Sequence, residues 1–180
     1  PLEDELNFLQ DRFLSAYAAA GEKAAITLGD SPMEPVFITE TYAVDSSDTA
    51  DKTFLAVGTN VATIAMRQEN TAFQIIATIL FNSDGSPLKN AIVSSGLCKD
   101  FGGFFMANSS SKTLMITYLV GSEAGHRDTF LSLYKTTLEN MVKEGLDHDL
   151  VLAELNKFEF SLREEASKAQ RGLDLISKAM

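Results

Sequence analysis

Two histidines, His126 and His148, and a single cysteine, Cys98, are the residues of this 180-residue chain best suited to bind a metal. The histidines stand at the starts of two different predicted helices, and Cys98 is distant in sequence from both. Zinc sites bring their ligands together at short spacings such as H-x-x-E-H or C-x-x-C, and no such spacing occurs. We therefore expect no metal-binding residue here. Both histidines are expected to be exposed, and Cys98 to pack as a small apolar side chain.

Candidate nucleophiles and phosphate loops are equally weak. Ser109–Lys112 matches S-x-x-K, which needs a helix start over a pocket, but it falls in a polar loop between two apolar segments. We interpret it as a solvated turn. Gly102–Gly103 leads into a strand rather than a helix, which is the wrong order for a dinucleotide loop. Asn108–Ser110 fits the glycosylation triplet, but without a secretory signal we assign it no role.

Charged residues cluster on the last long helix, at Glu159, Arg163, Glu164 and Glu165. One interpretation is a general acid or a substrate clamp. The other is a solvated face, on which Glu159 and Arg163 form an ion pair at a spacing of four residues and stabilise the helix by about 0.3 kcal/mol. We favour the solvated face. The residues alone thus predict no catalytic and no cofactor-binding side chain.

Charge and composition exclude several classes of protein. The formal net charge is −10 and the pI is about 4.6, which argues against binding to nucleic acid or to an anionic membrane. No apolar stretch approaches the length of about 20 residues that spans a bilayer. One cysteine cannot form an internal disulfide. These features favour an intracellular soluble protein in a reducing interior.

The first half of the sequence predicts a helix, a linker, two strands and two helices. Apolar residues recur every three or four positions from Leu2 to about Ala20, Gly21 is the expected stop, and Gly29–Pro35 is the expected linker. The β-rich segments 36–44 and 53–57 are expected to pair as antiparallel strands. A buried helix is predicted over 70–81. A second, capped by Ser86 with Pro87 at its first position, closes on Gly96.

The second half predicts a hairpin and two more helices. Strands 101–107 and 113–120 flank a polar loop, and in the second strand Leu114, Ile116, Tyr118 and Val120 alternate onto one face. Asp128 is expected to cap a helix that ends at Gly145, and Asp147 to start the last long helix. The expected inward residues of these helices are Phe130, Leu133, Tyr134, Leu138 and Met141, then Val151, Leu155, Phe158 and Leu162. The element order predicts an α+β fold, with an antiparallel sheet packed by helices on one face.

Three segments resemble the pitrilysin/insulinase metallopeptidases, and their presequence-protease branch most of all. Ser86–Leu97 (SPLKNAIVSSGL) is similar to a segment that follows a long buried helix in that family. Phe158–Glu164 (FEFSLRE), followed by Arg171–Leu173 (RGL), is similar to the end of its second domain. Pro1–Leu9 resembles the last helix of its first, catalytic domain. Two residues depart from the family pattern: Cys98 stands where the family has glycine, and Gln170 stands where it often has proline.

The resemblance implies a zinc metalloendopeptidase in which two halves, each of two similar domains, enclose a peptide-sized chamber. Residues 1–30 would be the final helix and linker of the catalytic domain, and residues 31–180 a non-catalytic second domain. Zinc would be bound outside this stretch, by H-x-x-E-H and a later glutamate, so no catalytic or metal residue is transferred to this chain. The stretch alone is expected to be inactive.

The expected partners follow from the same resemblance. They are the peptide substrates of the full enzyme and the neighbouring domains, with self-association of the stretch as a further possibility because faces that neighbours cover would be bare. An acidic chamber wall would attract basic peptides. Two alternatives stay open: a scaffold or processing subunit of the same fold without catalysis, and a stand-alone α+β interaction module.

Overall fold

A computed structural model describes residues 2–17, 34–45, 47–107 and 111–179, with no description of the side chains at 165–167 and 178–179. The chain divides into two compact units, Pro1–Val36 and Phe37–Met180. The domain boundary expected between residues 30 and 31 stays a prediction.

The first unit contains helix α1, Leu2–Arg12, followed by a short 3-10 turn, Leu14–Ala16. Three acidic residues in the first turn of α1 and Arg12 in its last turn complement the helix dipole. The helix ends earlier than the sequence predicted, because Phe13 leaves the helical conformation at ψ −62 and φ −127. The expected stop at Gly21 and most of the Gly29–Pro35 linker lie outside the described residues.

The second unit is built on a three-stranded antiparallel sheet in the order β1-β3-β2. The strands are β1, Thr53–Thr63, β2, Asp100–Met106, and β3, Lys112–Ser122. The predicted hairpin is therefore confirmed as β2 and β3, with Phe104 opposite Ile116 in the ladder. Its tip, residues 108–110, lies outside the described part of the chain, and with it half of the S-x-x-K match and the whole glycosylation triplet.

The strand predicted over 36–44 was wrong: no strand occurs within the described residues 34–45. The segment instead uses its aromatic side chains, since Tyr42 packs its ring 5.7 Å from that of Phe54 and Phe37 lies 5.1 Å beneath the guanidinium of Arg127. β-Branched and aromatic residues favour an extended backbone, but a strand also requires a ladder partner. β1 pairs with β3 along one edge and forms no ladder with this segment.

Three helical segments follow β1 and cover one face of the sheet. Helix α2, Arg67–Ala77, continues into a π-helical turn, Thr78–Asn82, and then α3 spans Pro87–Ser94. The predicted start of α3 is confirmed, because the Ser86 hydroxyl accepts a hydrogen bond from the Lys89 amide at 3.1 Å. Gly96 follows α3 at φ +72, a left-handed conformation that favours glycine at a helix end.

Three further helices complete the unit: α4, Arg127–Glu144, α5, His148–Ser167, and α6, Arg171–Ala179. Helix α4 packs on α3, and α5 packs on α2 and the π-helical turn. Gly145 ends α4 at φ +85, and the Asp147 carboxylate accepts a hydrogen bond from the Leu150 amide at 2.9 Å, as the sequence predicted. Asp128 does not cap α4, which begins one residue before it and whose N-cap residue makes no side-chain bond.

The hydrophobic core lies between the sheet and these helices. Its buried members are Ala77, Leu80, Phe81, Leu88, Ile92, Leu97, Phe101, Met115, Leu119 and Phe130. The inward residues predicted for α4 are confirmed, because Leu133, Tyr134, Leu138 and Met141 pack against this cluster. The α+β class and the helices on one face are thus as predicted.

Helix α5 presents a different face from the predicted one. Leu155 and Leu162 are exposed by 42% and 51%, whereas Glu154 is 3% exposed. Val151, Glu154 and Phe158 share one side of the helix at spacings of three and four residues. Val151 and Phe158, predicted to face inward, are half-buried, but the buried position between them is Glu154, which the sequence analysis did not consider.

Candidate functional site

The two faces of the sheet differ in burial along the central strand β3. Thr113, Met115, Thr117 and Leu119 are buried beneath the helices. Leu114, Ile116, Tyr118 and Val120 share the opposite face, as predicted, and are only half-buried although strands flank them on both sides. In an antiparallel ladder, directly opposite residues lie on the same face. We call this face, with its ladder neighbours, the open face; the neighbours are Ala56, Gly58, Asn60, Asp100, Gly102, Phe104 and Met106.

Aromatic and small residues determine the shape of the open face. The Phe104 and Tyr118 rings are 6.4 Å apart, and Phe104 is 42% exposed. The Tyr118 ring lies across Gly102, where an added Cβ would come within 2.7 Å of it. At Gly58 an added Cβ would meet nothing within 4 Å. The open face is therefore largely apolar: the Tyr118 ring covers Gly102 on β2, whereas the space beside Gly58 on β1 is open.

The acidic surplus of the chain is absent from the open face. Among its residues only Asp100 carries a formal charge, and Lys112 at the other end of β3 adds one positive charge. The Asp100 carboxylate accepts a hydrogen bond from the Phe101 amide at 2.9 Å. The two charges flank the face and cancel. The open face therefore carries no net charge of its own, although the sequence as a whole has a net charge of −10.

His126 is half-buried, contrary to the expected exposure, and it joins two loops. Its Nδ1 atom is 3.1 Å from the carbonyl oxygen of Leu97, and that oxygen also accepts a hydrogen bond of 2.6 Å from the Ser122 hydroxyl. Because a carbonyl oxygen can only accept, Nδ1 must carry the proton in this contact. His126 thus ties the segment after α3 to the turn just before α4, as Ser122 ties it to the end of β3, and this is a structural role.

The remaining charged candidates lie on solvated helix surfaces. His148 is exposed, as predicted, with its Nδ1 atom 3.7 Å from the Asp149 carboxylate. Arg163 donates to the Glu159 carboxylate across one helical turn, as predicted for a solvated face. Arg127 donates to Asp128 at 2.8 Å, and this hydrogen bond, with the accompanying charge attraction, lowers the pKa of Asp128. Each pair is local to one helix, and the structure does not bring them together into a site.

Cys98 is half-buried beside Leu97, in agreement with the expected packing role. Burial raises the pKa of its thiol, and the negative charge of Asp100 raises it further. A raised pKa keeps the thiol protonated near neutral pH, and a protonated thiol is a poor nucleophile and a poor metal ligand.

The described residues do not fit the zinc ion that the family resemblance implies for a full enzyme. Within residues 2–17, 34–45, 47–107 and 111–179, no three His, Cys, Asp or Glu side chains come close enough together to hold a metal. We derive no catalytic step through zinc in this stretch. That the stretch contains no catalytic, cofactor-binding or metal residue stays a prediction.

Glu154 is the polar residue that sequence reasoning missed. Its side chain is buried in the wall of a cavity of about 250 Å³ between α2 and α5, and its carboxylate is 2.6 Å from the Lys157 ammonium group. Lys157 is largely exposed and brings the compensating charge from solvent. The only sequence signal was the position of Glu154 between Val151 and Phe158 on one helix side. Because the charges of Glu154 and Lys157 neutralise each other, we assign this ion pair a structural role in packing α5 against α2.

No helix in the described part of the chain is long and apolar enough to cross a bilayer.

Comparison with known proteins places these features in a family. The sequence family described as the peptidase M16 inactive domain matches residues 6–158. Among curated proteins, Protein HypA of Clostridium perfringens (strain 13 / Type A) is 27% identical over 164 residues, which is 90% of this chain and 17% of that protein. The chain therefore spans less than a fifth of the length of this relative.

Two solved structures share the fold. One is the inactive peptidase domain of a candidate zinc protease from Bordetella parapertussis, and the other is a candidate zinc protease from Bordetella pertussis Tohama I. Each has a TM-score of 0.60 and 17% identity, over 70% of this chain and 68% of the other. At this identity the likeness establishes the fold alone. It supports the α+β architecture derived above.

Proposed function

Because the chain belongs to the family of peptidase M16 inactive domains, as a pitrilysin-family fragment, we propose that it is the non-catalytic second domain of a longer zinc metalloendopeptidase that degrades peptides. The family match over residues 6–158 carries this proposal. Zinc and the catalytic glutamate belong to a preceding domain, of which residues 1–30 are the end. The parent enzyme resembles presequence proteases and works in a reducing interior.

The open face suggests what this domain contributes. A sheet packed by helices on one side offers its other side as a broad, rigid wall, and rigidity is what a closed reaction chamber requires of a domain without ligands. We assign the open face to the inner wall of the chamber and the helices to the outside. Neighbouring domains of the same chain would meet the margins of the sheet.

The proposal is tested by zinc content and peptidase activity of two proteins, this chain and the parent that contains it. We expect zinc and peptide cleavage in the parent, and in this chain neither zinc after dialysis nor cleavage. A substitution of the glutamate in the parent's H-x-x-E-H motif should abolish cleavage. Zinc that stays bound to this chain in equimolar amount, or cleavage by this chain alone, would contradict the proposal.

A scaffold or processing subunit without catalysis is the remaining alternative within the family. It predicts a parent whose H-x-x-E-H motif is altered and which binds no zinc. The parent's sequence and zinc content therefore separate the two proposals. A stand-alone interaction module is less well supported, because the chain matches a peptidase domain and covers 17% of its curated relative.

A further inference from the structure

We propose that the cavity between α2 and α5 is a binding site for a primary alkylammonium group, which takes the place of Lys157 beside the Glu154 carboxylate. The group can belong to a free amine or to a lysine side chain, and both sources share this chemistry. The inference goes beyond the proposed function, and it depends neither on zinc nor on peptide cleavage.

The first argument is the unequal burial of the two charged side chains. The Glu154 side chain is 2% exposed, whereas that of Lys157, which donates a hydrogen bond of 2.6 Å to it, is 69% exposed. A buried carboxylate is costly unless a cation accompanies it. Lys157 supplies this cation on a flexible side chain that reaches in from solvent, so it can swing out without a shift of the backbone. A cation from solution can then occupy the same position, and Lys157 completes the packing of α5 only while no ligand is bound.

The second argument is the supply of hydrogen-bond acceptors around the cavity. The Thr78 hydroxyl donates to the Gln74 carbonyl oxygen at 3.2 Å, and the Ser161 hydroxyl donates to the Phe158 carbonyl oxygen at 2.8 Å. Because a hydroxyl has one proton, both groups can only accept from a ligand in this arrangement. The Glu154 carboxylate in the same lining is also an acceptor. An ammonium group has three donors and no acceptor, so it is complementary to these three side chains.

The third argument is the apolar part of the lining. Ile75 and Phe158 contribute aliphatic and aromatic surface to the cavity of about 250 Å³. A short alkyl chain on the ammonium group can pack against this surface, whereas a bare inorganic cation would leave it uncovered. The cavity also lies where α2 widens into the π-helical turn, which begins at Thr78, and single π-helical turns are frequent at functional sites.

An NMR titration of this chain with n-butylammonium chloride at constant ionic strength tests the proposal. We expect saturable shifts of the backbone amide signals of Gln74, Thr78, Glu154 and Ser161. Butanol, which lacks the charge, and tetramethylammonium, which lacks N–H donors, should cause no such shifts. Lysine blocked at both its amino and carboxyl ends separates the two sources: its binding would show that a lysine side chain fits, and binding of n-butylammonium alone would assign the site to a free amine. If neither compound binds, or if the shifts lie away from the cavity, the proposal is overturned.

The two members of the ion pair should have opposite effects on binding. Glu154→Gln removes the negative charge and should weaken the binding of n-butylammonium about tenfold, as expected for the loss of a hydrogen bond to a charged group. Lys157→Ala removes the competing ammonium group and should strengthen binding about tenfold. Lys135→Ala is the matched control, because Lys135 and its partner Glu139, 3.8 Å apart on α4, are both exposed. This control should leave the affinity unchanged.

Thermal unfolding of the same variants provides a second measurement. Lys157→Ala leaves a buried carboxylate without its cation, so its Tm should fall, and n-butylammonium should raise this Tm more than that of the unsubstituted chain. Lys135→Ala should change little in either respect. A purely structural ion pair predicts that the Tm of Lys157→Ala falls and is not restored, and that result would overturn the proposal. Equal gains of affinity in Lys157→Ala and Lys135→Ala would show non-specific attraction to an acidic chain and overturn it as well. Far-UV circular dichroism verifies that each variant is folded.

Discussion

Two glycines of the same sheet should respond in opposite ways to alanine, because their surroundings differ. A Cβ added at Gly103 would lie 2.7 Å from the carbonyl oxygen of Ile116 and 2.7 Å from the ring of Phe81. The oxygen belongs to the central strand and cannot move without distorting the ladder. Forced contacts of this kind cost about 1–3 kcal/mol. A Cβ added at Gly58 would have no atom within 4 Å, so the alanine variant meets no clash. Because alanine loses less backbone freedom on folding than glycine, the variant should be more stable by about 0.5–1 kcal/mol.

Gly103→Ala should therefore lower the free energy of unfolding by about 1.5 kcal/mol, and Gly58→Ala should raise it by about 0.5 kcal/mol. The difference of about 2 kcal/mol corresponds to about 4–8 °C in Tm for a domain of this size. Urea unfolding followed by far-UV circular dichroism measures it. Gly102→Ala should fall between the two, since the far end of the Tyr118 ring can swing away. If Gly103→Ala proved as stable as Gly58→Ala, the packing of Phe81 against β2 described above would be incorrect.

Three further changes test the core, a helix start and the thiol. Thr117→Val should raise the free energy of unfolding, measured in urea, by about 1 kcal/mol, because the buried Thr117 hydroxyl has no hydrogen-bond partner. A loss of stability would show that this hydroxyl does form a hydrogen bond. Ser86→Ala should lower the free energy of unfolding by about 2 kcal/mol in the same assay, since the buried Ser86 hydroxyl both accepts from the Lys89 amide at the start of α3 and donates to a carbonyl of the π-helical turn. Ser86→Thr keeps a hydroxyl and should retain part of this stabilisation. Cys98 should react with iodoacetamide more slowly at neutral pH than an exposed cysteine, because its thiol has a raised pKa. Asp100→Asn should speed this reaction and move its pH profile to lower pH, because removing the negative charge lowers the pKa of the thiol. An unchanged pH profile would contradict this reasoning.

The local signals in the sequence identified most of the elements. Ser86 and Pro87 predicted the start of α3, and Gly96 and Gly145 predicted two helix ends, because capping and positive φ depend on a few neighbouring residues. The failures were of another kind. Segment 36–44 has the composition of a strand but no ladder partner, and α5 buries Glu154 while Leu155, which was expected to be buried, is exposed. Pairing and burial depend on residues far away in sequence.

The candidate site shows the same division. Alternation placed Leu114, Ile116, Tyr118 and Val120 on one face of β3 from the sequence alone. Alternation cannot say which face the helices cover, because β3 is apolar enough on both sides to be buried on either. The tertiary structure decided this by packing Phe81, Phe101 and their neighbours against Met115 and Leu119.

The sequence by itself determined the family, the order of the elements and the acidic character of this chain, since motifs, periodicity and charge are local or additive properties. Only the tertiary structure decided that the open face carries no net charge, that Gly102 and Gly103 accommodate rings on opposite faces, and that His126 is tied to the Leu97 carbonyl. These features arise where segments distant in sequence come within a few ångströms of one another. Their energies depend on distance and burial, which the order of residues does not contain.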